Sequence, residues 1–338
     1  MFVSTNCFKS VELRAWGSSH EKEETCELTK TNEHVIDITS LSEFFKTLFS
    51  LYIKDEKGEP LYTLIQNDWH IFSDDIYAKD IILEALKSTH ADIKYDDNVV
   101  YLPEIFEPKN RWNTIKKELV SNVRFFAGDL INPEDDQWDF FFSSNYIIKS
   151  ESKFYRGRIN ENINIQYETD KELNMPDKKF ARAGRANVYG IPYMYMATDA
   201  DTVMYECRAM TGDHISIGEY ELKEDVDVVD FTLKPDLFYI FQNQPELFIS
   251  TVQRYLFLSE VSRDMSKPVR RYDIKEIDYL PTQFVCEFIR RIAGGKGIIF
   301  QSSQNAEGKN VVLFENKYVK FNKAMQKIVG TTKMEYAK

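Results

Sequence analysis

The spacing of apolar residues changes near the middle of this 338-residue chain, and the change constrains the fold more than any other feature. Between residues 36 and 127 apolar side chains recur every three to four positions, which is typical of helices with one buried face. Beyond residue 150 the apolar runs are short and bounded by turn residues, as in Gly297–Gln301, which is typical of strands. We therefore predict a mainly helical domain over 1–150 and a second domain over 151–338.

The second half mixes strands and helices without regular alternation, which favours an α+β domain with a mixed sheet over a doubly wound one. Asp199 is a good N-cap for one predicted helix, and Pro281 suits the first turn of another. The predicted helices cover 199–209, 245–262 and 281–293. The predicted strands are Phe154–Ile159, Tyr193–Ala197, Ile215–Leu222, Val226–Phe231, Gly297–Gln301 and Asn310–Phe314.

Composition limits the class of protein. Apolar residues at 43% and aromatic residues at 14% supply enough core material to exclude global disorder. Acidic residues outnumber basic ones by 54 to 43, a formal charge of −11, which disfavours nucleic acid as a partner. No apolar run approaches the ~20 residues that a membrane-spanning helix needs, so we expect no membrane association.

Cysteine usage and the N-terminus both indicate a reducing compartment. The four cysteines, Cys7, Cys26, Cys207 and Cys286, are too far apart to suggest a disulfide framework. The first residues soon become rich in glutamate and do not resemble a signal peptide. We expect a cytoplasmic protein.

Several common arrangements for catalysis and phosphate binding are missing from the sequence. The five histidines show no metal-ligand spacing, so we predict no metal site. There is no Gly-x-Ser-x-Gly turn for a serine nucleophile. Neither Gly-x-x-x-x-Gly-Lys-Ser/Thr nor Gly-x-Gly-x-x-Gly occurs, so neither of these glycine-rich phosphate-binding loops is present.

Charged and polar side chains gather at the ends of predicted strands and on one helix flank. Arg156 and Arg185 offer the fixed fork of donors with which arginine binds diphosphates. Glu206 lies beside the apolar stripe of a predicted helix, where a carboxylate can stabilise positive charge developing on a sugar. Because strand ends and loops deliver side chains to shared sites, we predict one cleft that holds these residues together with Tyr195 and Ser302.

Each of these residues also has a structural interpretation. Glu206 can be a rim glutamate paired with Arg208 or a lysine. Arg185 can tie its loop to a neighbouring carbonyl group, and Tyr195 can be a core aromatic residue. Ser302 ends an apolar strand, where a hydroxyl group often caps a turn. The sequence leaves these alternatives open.

Taken in order, these segments resemble the RES domain family, which is named for its Arg, Glu and Ser residues. The resemblance covers about 150–316. The matching segments are Tyr155-Arg156, Gly184-Arg185-Ala186-Asn187, Gly190-Ile191-Pro192, Tyr195-Met196-Ala197, Glu206, Gly297-Ile298-Ile299-Phe300-Gln301-Ser302-Ser303 and Asn310-Val311-Val312-Leu313-Phe314. The order and spacing of these motifs make the resemblance specific.

RES proteins are best known as bacterial toxins that destroy NAD at the nicotinamide–ribose bond, on a fold similar to that of ADP-ribosyltransferase toxins. The resemblance implies that Glu206 is the catalytic carboxylate, that Arg185 and Ser302 act with it, and that NAD is the substrate, with no cofactor. It implies that NAD is held by Arg156, Arg185, Tyr195, Asn187, Ser302 and Ser303. Short RES toxins read Gly-Gly-Arg-Trp-Asn where this chain has Ala183 and Ala186, which leaves the rate of turnover open.

The N-terminal half resembles the helical HEPN/RES-type domain that precedes RES in longer members. Residues 1–35 are polar and irregular. Such domains commonly begin with two Cys-x-x-Cys pairs, whereas this chain has Ser4-x-x-Cys7 and Cys26-x-x-Thr29. Two thiolates do not close a tetrahedral zinc site, so we expect a degenerate zinc-ribbon-like start without zinc, although His20 could add a third ligand.

These features favour an NAD glycohydrolase or phosphorylase that acts as a toxin or anti-phage effector. A toxin of this kind needs restraint by an antitoxin or by its own N-terminal domain. Two other classes stay open: an ADP-ribosyltransferase that modifies a macromolecule, and a nucleotide-binding sensor without turnover. The sequence also leaves the oligomeric state open, a homodimer included.

Overall fold

The computed structural model describes residues 1–19, 22–122, 136–268 and 275–330. The chain forms two compact units. The first consists of Met1–Asn110 and Lys234–Leu256, and the second of Arg111–Leu233 and Phe257–Lys338.

Helices and strands both occur among the described residues, which confirms the predicted α+β class. The helices are α1 (Val11–Ser18), α2 (Ser42–Phe49), α3 (Leu61–Leu64), α4 (Asp75–Thr89), α5 (Pro103–Ser121), α6 (Asp136–Phe142), α7 (Asp170–Leu173), α8 (Ala200–Glu206), α9 (Leu237–Asn243), α10 (Phe248–Ser266), α11 (Lys275–Asp278) and α12 (Leu280–Arg291). The strands are β1 (Phe2–Ser4), β2 (Lys22–Thr25), β3 (Asn32–Asp37), β4 (Tyr52–Pro60), β5 (Asn98–Tyr101), β6 (Tyr146–Ile148), β7 (Lys153–Ile159), β8 (Met194–Ala197), β9 (His214–Leu222), β10 (Val226–Asp230), β11 (Gly297–Gln301), β12 (Lys309–Leu313) and β13 (Val319–Ile328). None of the described helices is both long and apolar enough to cross a membrane.

The first unit packs helices with two small antiparallel sheets, one of order β1-β3-β2 and one of β4 and β5. Phe44, Phe45 and Leu48 line the buried face of α2, where the helical spacing of apolar residues placed them. The sheet of β1, β2 and β3 lies in the segment that we expected to be irregular. All four residues of β2, Lys22–Thr25, are exposed, so no alternation of apolar residues marks this strand in the sequence.

The second unit contains a mixed eight-stranded sheet of order β13-β9-β7-β8-β12-β11-β10-β6. β10 and β11 are parallel, and the other neighbouring pairs are antiparallel. β8, β11 and β12 are almost wholly buried, which explains why each reads as a short apolar run. This sheet positions the site described below.

The compact units do not follow the predicted boundary at residue 150. Trp112 of α5 and Trp138 of α6 lie upstream of it, yet both pack against Phe257 of α10 in the second unit. Residues 234–256 belong to the first unit instead. The boundary was predicted from local turn residues, which do not reveal contacts between residues so far apart in the chain. The domain limits themselves stay a prediction.

Candidate active site

A cleft of about 230 Å³ lies in the second unit beside β7, β8 and α8. β7 pairs with β9 along its whole length but with β8 only through Tyr155 and Ala197. α8 packs directly on β7, where a Cβ atom on Gly157 would clash with Val203. The cleft is lined by Tyr155, Arg156, Gly157, Tyr195, Met196, Ala197, Val203, Glu206 and Cys207.

Glu206 is the last residue of α8, and two side chains hold its carboxylate. Asp199 caps α8 as predicted, because its Oδ1 accepts a hydrogen bond from the backbone N–H of Thr202 at 2.7 Å. At the other end, Oε1 of Glu206 accepts hydrogen bonds from Oγ of Ser302 at 2.6 Å and from Nδ2 of Asn310 at 2.7 Å. Both bonds end on the same oxygen. The carboxylate is therefore oriented through Oε1.

The other carboxylate oxygen of Glu206, Oε2, has no hydrogen-bond donor among the described residues. Within the same described ranges, Arg208 and the lysines form no ion pair with Glu206, so the rim ion pair considered from the sequence is not what holds it. Glu206 is exposed to solvent. A ligand in the cleft could therefore approach a carboxylate that is fixed on one side and open on the other.

Ser302 and Asn310 are buried, and their hydrogen bonds to Glu206 are partly buried. Ser302 follows β11, and its Oγ also accepts hydrogen bonds from the backbone N–H groups of Gln304 and Asn305, both at 3.1 Å. These bonds use both lone pairs of the hydroxyl group, so its one proton points at Glu206. Ser302 thus caps a turn and orients the carboxylate at the same time.

Asn310 is a contact of Glu206 to which the sequence interpretation gave no role. It lies on β12, where its register partners are Ala197 of β8 and Phe300 of β11. The signal in the sequence is weak: an amide side chain begins the otherwise apolar run that continues to Leu313. A buried amide in such a run needs a hydrogen-bond partner, and Glu206 provides it.

Arg156 joins β7 to β8 at the place where strand pairing stops. Its Nη1 donates to the carbonyl oxygen of Tyr195 at 2.9 Å, and its Nε donates to the carbonyl oxygen of Leu173 at 3.1 Å. Burial lowers the pKa of Arg156, although arginine stays charged at neutral pH. A guanidinium has five donors, so these two bonds leave capacity for a ligand in the cleft.

The loop that contains Arg185 is fixed by α12. Oγ1 of Thr282 donates to the carbonyl oxygen of Arg185 at 2.7 Å. Nε2 of Gln283 donates to the carbonyl oxygens of Gly184 at 2.8 Å and Asn187 at 2.9 Å. Thr282 and Gln283 are buried. The start of α12 therefore sets the loop backbone, a role that the sequence interpretation missed because the two segments are distant in the chain.

Tyr195 and Asn187 form a second fixed point of the same loop. The Tyr195 hydroxyl donates to Oδ1 of Asn187 at 2.7 Å and accepts from the backbone N–H of Ala186 at 3.0 Å. A Cβ atom on Gly184 would lie 2.6 Å from that hydroxyl oxygen, so only glycine fits there. Nδ2 of Asn187 donates to the carbonyl oxygens of Arg182, Val188 and Ile191.

These bonds give Asn187 a clear structural task, because its amide oxygen and nitrogen are both engaged within the loop and the residue is buried. Burial raises the pKa of the Tyr195 phenol well above its usual range, so the phenol stays protonated. Tyr195 is also one of the residues that line the cleft. Contacts of Asn187 and Tyr195 with a substrate stay predictions.

The Arg185 side chain lies in a second pocket, of about 220 Å³. Its Nη1 donates to the carbonyl oxygen of Asp264 at 3.1 Å, and its guanidinium lies 5.2 Å from the ring centre of Tyr279. Burial lowers the pKa of Arg185, and the nearby Tyr279 and Glu206 offset part of this lowering. Arg185 therefore ties its loop to a carbonyl group, as one interpretation expected, and lies within the electrostatic reach of Glu206.

Ser303 is half-buried in the turn after β11, and its Oγ accepts a hydrogen bond from Nε2 of Gln304 at 3.1 Å. Of the predicted site residues, Arg156, Tyr195 and Glu206 line one cleft. Their roles in binding and catalysis, and those of Arg185, Ser302 and Ser303, stay predictions.

Two of the four N-terminal positions that resemble a zinc site, Ser4 and Thr29, carry hydroxyl groups that bind a carboxylate. Oγ of Ser4 donates to Glu33 at 2.6 Å, and Oγ1 of Thr29 donates to the same carboxylate at 2.6 Å. Sγ of Cys26 accepts from the backbone N–H groups of Ser4 at 3.3 Å and Thr29 at 3.5 Å. At these four positions only Cys7 and Cys26 offer thiols, and no group of three or more metal-ligating side chains occurs in the described part of the chain. His20 lies outside the described residues.

Glu33 takes the central position of this cluster, and we expect its charge to stabilise the first unit. Hydrogen bonds from Ser4, Thr29 and Thr31 lower the pKa of Glu33. A carboxylate with a lowered folded-state pKa contributes stability that is complete above its unfolded pKa and is lost as the pH falls through the folded pKa. Between about pH 6 and pH 3, wild type should therefore lose more unfolding free energy than Glu33→Gln.

Denaturant unfolding at several pH values measures this difference. Glu23→Gln, which changes an exposed glutamate of β2, is the matched control and should follow wild type. Parallel pH profiles of wild type and Glu33→Gln would contradict the role given to this carboxylate.

Comparison with known proteins identifies one domain. No curated protein matches the chain. A chain in the crystal structure of the M. tuberculosis MbcT–MbcA toxin–antitoxin complex is similar at 11% sequence identity, over 57% of this chain and 93% of that chain, with a TM-score of 0.33. The RES domain family matches residues 164–329, which include Arg185, Glu206 and Ser302. By this family match, the chain carries a RES domain over residues 164–329.

Proposed function

We propose that this protein consumes NAD by breaking the bond between nicotinamide and ribose. The observation that carries the proposal is the state of Glu206: Ser302 and Asn310 hold one carboxylate oxygen, and the other has no donor within the described residues. The RES domain supports the choice of substrate, because NAD is what the resemblance of the sequence implies. NAD is proposed as substrate, without a cofactor.

In the proposed reaction the bond between ribose C1′ and the nicotinamide nitrogen breaks, and its electron pair leaves with neutral nicotinamide. The ribose becomes oxocarbenium-like, and Oε2 of Glu206 stabilises its positive charge. A carboxylate that Ser302 and Asn310 already hold in place needs no reorganisation at that moment. Water then attacks C1′ and loses a proton to solvent, or phosphate attacks through one of its oxygens.

The cleft has the size of part of a dinucleotide. Its volume of about 230 Å³ lies below the roughly 300–1,000 Å³ of sites that enclose a whole drug-sized ligand. We therefore assign to it the nicotinamide and its ribose, beside Tyr195 and Arg156. The phosphates of NAD then need a separate site, and Arg185 lies in a second pocket.

A transferase that attaches ADP-ribose to a macromolecule is the second candidate. Glu206 is exposed, and its neighbour Tyr205 keeps 53% of its surface accessible, so a large acceptor can reach the cleft. NAD labelled in its adenosine half, incubated with the purified protein, phosphate and cell lysate, separates the acceptors. Label in free ADP-ribose indicates water, label in ADP-ribose 1-phosphate indicates phosphate, and label in macromolecules supports the transferase.

In the cell we propose a toxin or anti-phage effector that arrests growth by depleting cytoplasmic NAD. An antitoxin, or the N-terminal part of the chain, would restrain it. The net charge of −11 disfavours nucleic acid as partner. Expression of wild type in a bacterial host should lower NAD and stop growth, and expression of Glu206→Gln should do neither.

A further inference from the structure

Among the described residues, more cations than carboxylates line the second pocket of the second unit. Arg185, Lys116 and Lys267 contribute positive charge, and Asp264 and Asp278 contribute negative charge. These five described side chains together carry a net positive charge, which favours an anionic ligand.

Asp264 holds two of these cations in place. Its Oδ2 forms an ion pair with Nζ of Lys116 at 2.8 Å and accepts a hydrogen bond from Nε1 of Trp112 at 2.9 Å. Its backbone carbonyl oxygen accepts from Nη1 of Arg185 at 3.1 Å. The side chains of Lys116 and Asp264 are only 24% and 26% exposed, so solvent screens the pair less than an open surface pair. Asp264 thus supports both Lys116 and Arg185.

Both cations keep donors for a ligand. The ammonium group of Lys116 has three donors and the guanidinium of Arg185 has five, and the hydrogen bonds to Asp264 use one of each. Tyr279 packs on the guanidinium, and Thr282 fixes the backbone of Arg185. The arginine is therefore held in advance of binding, which reduces the entropy that a ligand must overcome.

We propose that Lys116, together with Arg185, binds the diphosphate of NAD in this pocket. This inference rests on the proposed function. Two fixed cations with unused donors suit phosphate oxygens. Glu206 does not line the pocket, which argues for the phosphates of the substrate and against an attacking phosphate. Lys116 lies on α5, upstream of the RES match at 164–329, so the substrate site extends beyond that domain.

Lys116→Met tests this assignment, because methionine keeps an apolar stem and removes the charge. We expect the KM for NAD to rise about tenfold with kcat within about threefold of wild type, since a phosphate clamp acts in the ground state. With nicotinamide riboside, which has no phosphate, kcat/KM should not change. Lys116→Arg should restore the KM for NAD.

Two further variants complete the experiment. Lys149→Met is the control. It removes the ion pair of Lys149 with Asp225, which has the same length of 2.8 Å as that of Lys116 with Asp264 but lies at an exposed site outside the pocket. The KM of this variant for NAD should equal that of wild type. Lys267 is an exposed lysine of the pocket, so Lys267→Met should fold normally and raise the KM for NAD about threefold.

Three results would overturn the inference. Equal losses with NAD and nicotinamide riboside would mean that Lys116 only supports the fold. A higher KM for inorganic phosphate with an unchanged KM for NAD would mean that the pocket holds the acceptor.

If wild type releases no nicotinamide, the proposed function fails, and calorimetric titration with NAD then tests the pocket alone. An unchanged Kd for NAD in Lys116→Met would contradict the assignment of the diphosphate to this pocket. A Kd for NAD about tenfold weaker would support that assignment.

Discussion

The Glu206→Gln protein is expected to release nicotinamide at least about 10²-fold more slowly than wild type. Its amide oxygen can still accept the hydrogen bonds from Ser302 and Asn310, so the fold should survive. What disappears is the negative charge that faces the oxocarbenium-like ribose. Steady-state kinetics of nicotinamide release, with circular dichroism and thermal unfolding of both proteins, measure this effect.

Glu161→Gln is the matched control, because Glu161 is an exposed glutamate of the same unit, 3.7 Å from Arg158. It should keep wild-type kinetics. If Glu206→Gln also kept its kcat, Glu206 would have no catalytic charge effect, and the proposed mechanism would be wrong.

The Asn187→Asp protein is expected to lose about 3 kcal/mol or more of unfolding free energy and most of its activity. Aspartate keeps the size of the side chain and the acceptor for the Tyr195 hydroxyl. It replaces the amide donors, however, by an oxygen that faces three backbone carbonyl oxygens in a buried place, those of Arg182, Val188 and Ile191. Denaturant unfolding measures the loss of stability.

Asn162→Asp provides the comparison for this change. Asn162 is exposed, and its Oδ1 accepts a hydrogen bond from the backbone N–H of Asn164 at 3.0 Å, which an aspartate can also accept. Its stability should stay within about 0.5 kcal/mol of wild type. A similarly small change in Asn187→Asp would show that the amide of Asn187 does not hold the loop.

The sequence predicted the strands of the second unit that carry a buried apolar run. β8, β11 and β12 lie within two residues of their predicted limits. A strand that is buried on both faces appears in the sequence as a continuous run of apolar residues. The edge strand β13 was not predicted. Its Lys320, Lys323 and Lys327 are largely exposed, and lysine is depleted in strands generally but tolerated at sheet edges.

The candidate site was predictable only in part. Glu206 stands out as a polar residue at the end of a helix, and Ser302 as a polar residue at the end of an apolar strand. Their direct hydrogen bond was not predictable, because it joins residues 96 positions apart. The support of Arg185 by Asp264 spans 79 positions, and that by Thr282 spans 97. Local patterns identify a residue that can do chemistry, but the partners that orient it come from the tertiary fold.

The proposed function requires that NAD is the substrate and that its nicotinamide–ribose bond is broken. A time course of nicotinamide release by the purified full-length protein tests this most directly, with NAD in large excess over protein. We predict many molecules of nicotinamide per protein chain, matched mole for mole by loss of NAD. An amount of nicotinamide no greater in wild type than in a protein-free control would contradict it.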